Sequence, residues 1–416
     1  MNRIYFTNLK LLIIIILSTV LNLCAFCLFA QTKAVFIIVD GIPADLLEKT
    51  VTPVICEISS IGGYSRSYVG GEKGTYSESP TISAVGYNHL LTGTWSNKHS
   101  VWGNGIENPN YHYWNIFRIV KNASPALKTA IFSTWVDNRT KLIGEGLPQA
   151  GNIKLDYSFD GFEKDTTMFP HSNPEYFFEI DEYVSKEAGR YIKENGPDLS
   201  WVYLEYTDDI GHRFGDSPQM TQAVKSADIQ VGRVYDAVKE RMQKTSEKWM
   251  IVVTTDHGRN SKDGKSHGGQ SDRERTTWIV TNYNHLNTHF KQTPAIVDIM
   301  PSILRFMNIN MPDALKEEAD GIPFVGKVSI SNLQASMRDN KKIELSWNVI
   351  DPKGKVEIML TTTNLFKEGK TDQYQLIGKT KISNGKYTID VSRIDSKFYK
   401  ILVKAPYNWL NKCVVL

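Results

Sequence analysis

Acidic residues and histidines stand where three apolar runs of this 416-residue chain end. They are Asp40, Asp208, His212, Asp256, His257 and, a short loop further on, His267. Carboxylate oxygens together with imidazole nitrogens suit zinc, whereas carboxylates alone would favour magnesium or calcium. Asp208 and His212 are four residues apart, so both can reach one ion, and the adjacent Asp256 and His257 could serve a second. Separate helix caps and surface histidines are the alternative, but three carboxylates with histidines after two of them favour a metal centre.

A hydroxyl-rich loop leads into a predicted helix that Gly93 closes. A hydroxyl at a helix N-terminus is poised for phosphate chemistry, because the free amides and the helix dipole favour anions there. Metal coordination would make such a hydroxyl a nucleophile. The local sequence does not choose among the candidates, which are Ser77, Ser79, Thr81 and Ser83. Any one of them could instead be a simple helix cap.

The elements that must position these side chains alternate between strands and helices from residue 33 to about residue 324. The predicted strands, apolar at successive positions as in fully buried strands, are Ala34–Val39, Thr129–Ser133, Trp201–Tyr206, Trp249–Thr254 and Thr277–Val280. Between them lie amphipathic segments such as Ile180–Asn195 and Gln219–Gln243. This order predicts an α/β fold with a mostly parallel sheet flanked by helices. Sites in such sheets form at the carboxyl ends of the strands, so the acidic residues and histidines should converge on one crevice.

The C-terminal part has a different pattern. From residue 327 onward, short alternating runs are separated by turns such as Asp351-Pro-Lys-Gly354, which predicts a small all-β sandwich of about seven strands. The segment Ile343–Trp347 resembles the second strand of fibronectin type III modules, with Trp347 in the core. We therefore predict an α/β domain over residues 31–325 and a fibronectin type III-like domain over residues 326–416. The second domain carries no catalytic cluster and is interpreted as a packing or adhesion module.

The first 30 residues have the pattern of a secretory signal peptide. Arg3 and Lys10 precede an uncharged run from Leu11 to Ala30, so cleavage is expected near Ala30–Gln31. The run is also long enough to span a bilayer, which makes a retained membrane anchor the alternative. Both interpretations export the remaining chain, to the periplasm or the extracellular space. A membrane partner is expected only if the segment is retained.

Charge and cysteine content exclude two other classes of protein. The chain has 48 basic and 45 acidic residues and a net charge of +3, which is too small an excess for a nucleic-acid-binding surface. After the signal segment only Cys56 and Cys413 remain, too few for a disulfide scaffold, and whether they pair is left open. The oligomeric state is likewise not indicated.

Five separate pieces of the chain resemble, in order and spacing, the alkaline phosphatase superfamily and most of all its type I phosphodiesterase/nucleotide pyrophosphatase branch. They are Asp40-Gly41, the segment 81–93, Asp208-x-x-Gly-His212, Thr255-Asp256-His257-Gly258 and His267-Gly268. The resemblance covers about residues 33–324 and implies an alkaline phosphatase-like fold. In that family the nucleophile lies nine residues before the threonine of a Thr-Gly pair. Counting back from Thr92, this selects Ser83.

The resemblance also implies the remaining site residues and two Zn²⁺ ions, with other divalent metals as an option. One ion would be held by Asp208, His212 and His267, and the second by Asp40, Asp256, His257 and the Ser83 oxygen. The stretch from Thr92 to Asn104 resembles a family segment ending in an asparagine that donates to a phosphoryl oxygen, which implies that role for Asn104. The implied reaction is attack by Ser83 on an anionic phosphoester, through a covalent phosphoserine.

Departures from the family pattern leave the substrate open. The phosphodiesterase branch usually has a threonine nucleophile followed by a Thr-Phe-Pro-Asn-like sequence, whereas Ser83-Ala-Val-Gly stands here and serine is usual in phosphomonoesterases. Some monoesterases bind the dianionic phosphate with a Lys-x-Arg pair. Arg139 lies in roughly that region without the lysine, and it could bind phosphate or pair with a carboxylate. Sulfatase activity is disfavoured because Ser83 is not followed by the proline and arginine of the modification motif.

The sequence thus predicts an exported zinc-dependent phosphodiesterase/nucleotide pyrophosphatase acting on a small phosphoester such as a nucleotide. A phosphomonoesterase on the same site is the main alternative. A metal-dependent mutase or phosphotransferase is disfavoured by export, and a non-catalytic surface binding protein is disfavoured by the intact ligand set. The aromatic segment Phe159–Phe178 could stack a nucleobase or belong to the core.

Overall fold

The computed structural model of the protein describes residues 31–339 and 341–416. The predicted signal segment, residues 1–30, lies outside the described residues, so its cleavage stays a prediction. Within the described part of the chain, no helix combines the length and the apolar character needed to cross a bilayer.

A seven-stranded, mostly parallel sheet forms the centre of the N-terminal part, as predicted. Its strands are β1 (Thr32–Val39), β2 (Gly63–Tyr68), β3 (Thr129–Ser133), β4 (Tyr157–Phe159), β5 (Leu199–Leu204), β6 (Lys248–Thr254) and β7 (Thr276–Thr281). They lie in the order β2-β7-β6-β1-β5-β3-β4. Only the pairs of β7 with β6 and of β2 with β7 are antiparallel.

Helices cover both faces of this sheet. They are α1 (Ala44–Leu47), α2 (Pro53–Ile61), α3 (Ser83–Thr92), α4 (Ser96–His99), α5 (Ile116–Ala123), α6 (Tyr176–Asn195), α7 (Tyr206–Phe214), α8 (Pro218–Lys244), α9 (Asp272–Arg275), α10 (Ile299–Phe306) and α11 (Asp313–Glu318). Along β1, Ala34, Phe36 and Ile38 enter the core under α3, α5 and α10, while Val35 and Ile37 enter the core under α2, α6 and α8. Burial on both faces is why this strand is apolar at every position.

The fifth strand ends two residues before the predicted end at Tyr206. The buried carboxylate of Asp181 in α6 accepts hydrogen bonds from the backbone N–H groups of Glu205 (3.1 Å) and Tyr206 (2.8 Å). These two amides are therefore satisfied at the start of α7 instead of in the sheet, and the chain turns into the helix that carries Asp208 and His212.

The C-terminal part is a small all-β sandwich, as predicted. Its strands are β8 (Ile330–Arg338), β9 (Lys342–Val349), β10 (Lys355–Thr361), β11 (Gln375–Lys381), β12 (Lys386–Asp390), β13 (Phe398–Lys404) and β14 (Trp409–Val415). One sheet has the order β12-β9-β8 and the other β11-β10-β13-β14, with antiparallel pairs throughout. Trp347 is buried in the core between them. The resemblance to fibronectin type III modules and the domain bounds stay predictions.

Buried ion pairs join the sandwich to the α/β part. Lys400 of β13 is fully buried and pairs with the buried Glu318 of α11. Lys98 of α4 is also buried and donates to Asp320 (2.6 Å) and to the side-chain oxygen of Asn411 in β14 (2.7 Å). These contacts fix the two parts against each other.

The two cysteines in the described residues are both free. Cys56 is exposed on α2, whereas Cys413 is half-buried on β14. The disulfide that the sequence left open is therefore not formed.

Candidate active site

The predicted metal ligands meet at one edge of the sheet. Strands β6, β1 and β5 are neighbours, and the carboxyl ends of these parallel strands lie side by side. Asp40 follows β1, Asp208 lies in the first turn of α7 after β5, and Asp256 and His257 follow β6. The parallel topology thus brings together residues that are far apart in the chain.

Asp208, His212 and His267 form the first group of potential ligands. Their ligand atoms all lie within 4.8 Å of one another. The Nε2 atom of His212 is 3.2 Å from Asp208 Oδ2 and 3.1 Å from His267 Nε2. His267 donates from Nδ1 to the carbonyl of Thr81 (2.9 Å), so its Nε2 carries a lone pair that faces the group.

Asp40, Asp256, His257 and Ser83 form the second group. The Nε2 atom of His257 lies 3.3 Å from Asp40 Oδ1, 3.2 Å from Asp256 Oδ2 and 3.2 Å from Ser83 Oγ. His257 donates from Nδ1 to the carbonyl of Gly258 (2.9 Å), so a lone pair on Nε2 faces the two carboxylates. Metal-binding histidines characteristically hold a backbone carbonyl in this way.

This donor set fits a bound cation. Asp40 Oδ1 and Asp256 Oδ2 are buried and have no hydrogen-bond partner, although buried oxygens normally have one. Each of them faces the lone pair of His257 instead of a donor. Lone pairs that converge in this manner repel one another unless a positive ion lies between them. A carboxylate oxygen of Asp208, a member of the first group, also lies within 4.8 Å of ligand atoms of Asp40 and His257 in the second, which places the two candidate positions next to each other.

The ionisation of the side chains also favours a cation. Burial and the charge of Asp208 raise the pKa of Asp40 to about 7. Burial and the charge of Asp40 raise the pKa of Asp256 well above its ordinary value. Burial lowers the pKa of the His257 imidazole well below its usual range, so that the ring is neutral. A divalent ion would replace protons on these carboxylates and remove the repulsion between them.

Of the four candidate hydroxyls, the structure brings only Ser83 to this group. Ser83 is the first residue of α3. The hydroxyl of Ser77 accepts from a backbone N–H of its own loop, that of Ser79 donates to a loop carbonyl, and that of Thr81 donates to the carbonyl of Gly269. These three side chains therefore stabilise the conformation of the loop. The backbone carbonyl of Thr81 also accepts the hydrogen bond from His267.

Two contacts position α3 and its first residue. Gly86 lies against the end of β6, where an added Cβ would be 2.6 Å from the carbonyl oxygen of Asp256, so a larger residue would push the helix away. Asn104 accepts from the backbone N–H of Ala84 (3.0 Å) through Oδ1. The exposed Asn104 side chain thus stands beside Ser83, as the resemblance implied.

Arg259 is a site residue that the sequence reasoning missed. Its fully buried guanidinium donates to the carboxylate of Asp208, to the Asp208 carbonyl (2.9 Å) and to the Gly41 carbonyl (2.9 Å). Burial alone would raise the pKa of Asp208, but the hydrogen bond from His212 and the charge of Arg259 hold it below its ordinary value. An added Cβ at Gly41 or Gly211 would lie 2.7 Å or 2.1 Å from the guanidinium, so both glycines make room for it. The signal in the sequence that could have identified Arg259 as a site residue was its position directly after Asp256-His257-Gly258.

Two tyrosines were also missed because they read as core residues of a strand and a helix. The hydroxyls of Tyr87 and Tyr203 both contact Asp40 Oδ2, the latter at 2.7 Å. They hold the carboxylate by the oxygen that does not face His257. The other oxygen, Oδ1, is therefore left for a ligand role.

Arg139 is paired with carboxylates, which is one of the two alternatives that the sequence left open for it. Its guanidinium forms two hydrogen bonds to Asp160 (2.6 and 2.9 Å) and one to Glu145 (2.9 Å). The side chain is therefore engaged by two carboxylates. The sequence could not separate the two alternatives, because Asp160 lies 21 residues further along the chain.

The aromatic segment Phe159–Phe178 is largely part of the packing. Phe159 and Phe162 lie with ring centroids 4.6 Å apart, and both contact Tyr183 of α6 at 5.0 Å. Phe169 is buried in the same core as α6 and α8. Of the two alternatives for this segment, stacking on a nucleobase or packing in the core, these three rings follow the second.

Comparison with known proteins gives one family match. Residues 34–273 match the model of the type I phosphodiesterase/nucleotide pyrophosphatase family. Among curated proteins, the 2,3-bisphosphoglycerate-independent phosphoglycerate mutase of Brugia malayi is 27% identical over 125 residues, which are 29% of this chain and only 22% of that relative.

Solved structures are similar at low identity. The protein named Ps i-CgsB is 14% identical with a TM-score of 0.49, covering 85% of this chain and 87% of its own. An inactive variant of murine ectonucleotide pyrophosphatase/phosphodiesterase 5, in complex with AMP, is 14% identical with a TM-score of 0.47, covering 68% of this chain and 96% of its own.

Proposed function

The chain belongs to the type I phosphodiesterase/nucleotide pyrophosphatase family, and from this premise we propose that it is a metal-dependent phosphodiesterase that acts outside the cytoplasm. The family match confirms the resemblance that the sequence motifs indicated, and it gives phosphoester hydrolysis as the activity class. The metal, the substrate and the residue roles belong to the proposal. The observation that carries it is the convergence of two buried carboxylates, an imidazole lone pair and the Ser83 hydroxyl.

The ligand residues divide as the two groups of contacts suggest. Asp208, His212 and His267 would hold one divalent ion, and Asp40, Asp256, His257 and Ser83 would hold the other, with zinc favoured by the mixed oxygen and nitrogen donors. When bound, the ions supply positive charge that neutralises the phosphoryl group and lowers the pKa of the nucleophilic hydroxyl.

The chain's own groups then carry the reaction. Ser83 Oγ loses its proton and forms a bond to phosphorus, while the bond to the leaving oxygen breaks and that oxygen takes up a proton. With a diester the serine then carries a phosphoryl group that is still esterified to the second alcohol, and attack by water on phosphorus releases this monoester and restores the hydroxyl. The N-terminus of α3 offers free amides to the phosphoryl oxygens. Asn104, held through its oxygen by Ala84, offers its NH₂ group to a non-bridging oxygen. Such positioning and neutralisation of charge account for most of the catalysis in phosphoryl transfer.

One observation favours a diester over a monoester. Arg139, the cationic group that a dianionic monoester could have used, is bound to Asp160 and Glu145. The serine nucleophile keeps phosphomonoesterase activity as the second candidate.

We expect the zinc-supplied protein to hydrolyse the p-nitrophenyl ester of thymidine 5′-monophosphate faster than p-nitrophenyl phosphate. The measurement is kcat/KM for both esters, which share the same leaving group and colour change. A preference for the monoester would make the protein a phosphomonoesterase. If neither ester is hydrolysed, the general phosphodiesterase proposal is wrong.

Removal of metal should abolish this hydrolysis. Chelator treatment followed by dialysis removes the ions that the reaction requires and leaves the buried carboxylates of Asp40 and Asp256 without a counter-ion, so activity should fall to background and return when zinc is added. Parallel additions of magnesium, manganese and calcium would identify the preferred ion. Circular dichroism on the same sample shows whether the fold persists, and full activity in verified metal-free protein would contradict the metal proposal.

Export is the part of the proposal that rests on the pattern of residues 1–30 alone. A cleaved signal and a retained anchor both place the catalytic part outside the cytoplasm. N-terminal sequencing of the protein from its native host would distinguish them, since cleavage predicts Gln31 or a close neighbour as the first residue.

A further inference from the structure

A second concave site lies where the α/β part meets the sandwich. It is a cavity of about 540 Å³, and neither Ser83, Asn104 nor any of the proposed metal ligands lines it. Its wall combines the loop at 71–77 and the segment 292–298 with β8 and β14 of the sandwich. Small-molecule sites have volumes of roughly 300–1,000 Å³ and often occur between domains, so both the size and the place suit a ligand.

The charges in the wall are largely compensated within the protein. The pairs are Lys98 with Asp320, Lys412 with Glu72, and His289 with Asp298. Arg275 donates to the side-chain oxygen of Gln270 (2.5 Å) and to the carbonyl of Gly71 (2.7 Å). Lys73 is exposed, with one contact of 3.3 Å to the Gln270 carbonyl. Arg275 and Lys73 thus have no acidic partner in the described residues, but the four basic and three acidic side chains of the wall leave a net charge of only about +1 with His289 neutral. This small excess is compatible with a neutral ligand.

Neutral hydrogen-bonding side chains line the open part of the cavity. The exposed ones, contributed by both parts of the protein, are Thr75, Gln292, Thr293, Asn332, Gln334 and Asn348. Amides and hydroxyls can both donate and accept, and a ligand that carries many hydroxyl groups satisfies them in either sense.

Aromatic rings complete the lining. Tyr76 is 38% exposed and packs in a T-shaped contact against Phe398 of the sandwich, with ring centroids 6.1 Å apart. Tyr68 and Trp95 stack on each other at 5.9 Å and also line the cavity. Tyrosine and tryptophan offer an apolar face together with a polar edge. That combination matches a sugar ring, which has an apolar C–H face and a rim of hydroxyls.

We propose that this cavity between the two parts binds a neutral, polyhydroxylated ligand, namely a short saccharide. The site is separate from the phosphoester site and goes beyond the proposed function. It also gives the sandwich a role, since β8 and β14 supply part of the wall. The active-site serine and the metals take no part in this binding.

The test is calorimetric titration of the full chain with three neutral trisaccharides: cellotriose, maltotriose and triacetylchitotriose. We expect at least one of them to bind with a stoichiometry of one, equally well in wild type and in Ser83→Ala. Tyr76→Ala should weaken that binding about tenfold, which corresponds to roughly 1.4 kcal/mol. Gln292→Ala, which removes an exposed amide of the lining, should weaken it as well. Tyr64→Ala is the matched control, because Tyr64 is 37% exposed on β2 and does not line the cavity.

Three results would overturn the proposal. The first is the absence of heat with all three trisaccharides at millimolar concentration. The second is saccharide binding that Tyr76→Ala and Gln292→Ala leave unchanged while both variants keep the wild-type melting temperature. The third is binding of AMP or inorganic phosphate to zinc-free Ser83→Ala protein that substitution of Tyr76 or Gln292 weakens. That result would identify the cavity as an anion site instead.

Discussion

Replacement of Ser83 by alanine is expected to abolish hydrolysis while the protein stays folded. The substitution removes only the oxygen that lies 3.2 Å from His257 Nε2, and it leaves the carboxylates and histidines in place. Because no other hydroxyl of the preceding loop faces this group, kcat should fall by at least about 10⁴-fold, as is common when a nucleophile is lost. Initial rates with the preferred ester measure this, and thermal melting measures the fold.

Ser77→Ala provides the matched control for this prediction. Ser77 belongs to the same loop, but its hydroxyl accepts from the backbone N–H of Glu72 at 3.2 Å and not from the site. Its loss should leave kcat within about twofold, since surface substitutions usually have small effects. Wild-type protein that is acid-quenched during turnover should also carry the phosphoryl group on the peptide that contains Ser83, still esterified to thymidine when the diester is the substrate. Measurable turnover by Ser83→Ala would disprove the nucleophile assignment.

The second large effect is expected for Arg259→Met. Methionine fills similar volume but cannot hold the carboxylate of Asp208 or the carbonyl of Gly41. Loss of a group that orients a metal ligand typically costs 10–100-fold in metal affinity, so we expect about that loss here. The free energy of unfolding should also fall by roughly 3–5 kcal/mol, because the partners of a buried charge are left unpaired. Competition with a chromophoric chelator measures the affinity, and urea denaturation measures the stability.

Arg273→Met separates positioning of the ligand from general stability. Arg273 binds Asp45 and Asp216, which are not among the proposed ligands. This variant should lose stability without a comparable loss of metal affinity. If Arg259→Met keeps wild-type metal affinity and wild-type kcat at saturating zinc, then Arg259 is only a structural residue.

The sequence predicted the parts of this structure that periodicity and topology dictate. Strands buried on both faces, such as β1 and β6, are continuous apolar runs and were found nearly to their ends. The edge strand β2 was missed, because half-exposed polar residues such as Ser65 and Arg66 alternate along it. The three-residue β4 is too short to give a pattern.

The same reasoning explains what was found at the site. Convergence of the aspartates and histidines follows from parallel strands that end at a common edge. By contrast, the contacts of Arg259 and Tyr203 with Asp208 and Asp40 depend on the packing of distant segments. No spacing in the sequence encodes such contacts. The position of Arg259 directly after Gly258 signalled that it lies near the site, but its partners, and the role of Tyr203, could be recognised only in the structure.

The buried pair of Lys400 and Glu318 couples the stability of the two parts of the protein. Each charge is contributed by a different part of the chain; Lys400 also pairs with Asp372 of the sandwich (2.9 Å), whereas Lys400 is the only salt-bridge partner of Glu318 in the described residues. An unpaired buried charge costs several kcal/mol, a large share of the 5–15 kcal/mol that typically stabilises a whole domain. The sandwich is therefore not an exchangeable appendage: heating should melt both parts in one cooperative transition, and replacement of Lys400 alone would leave Glu318 buried without its partner.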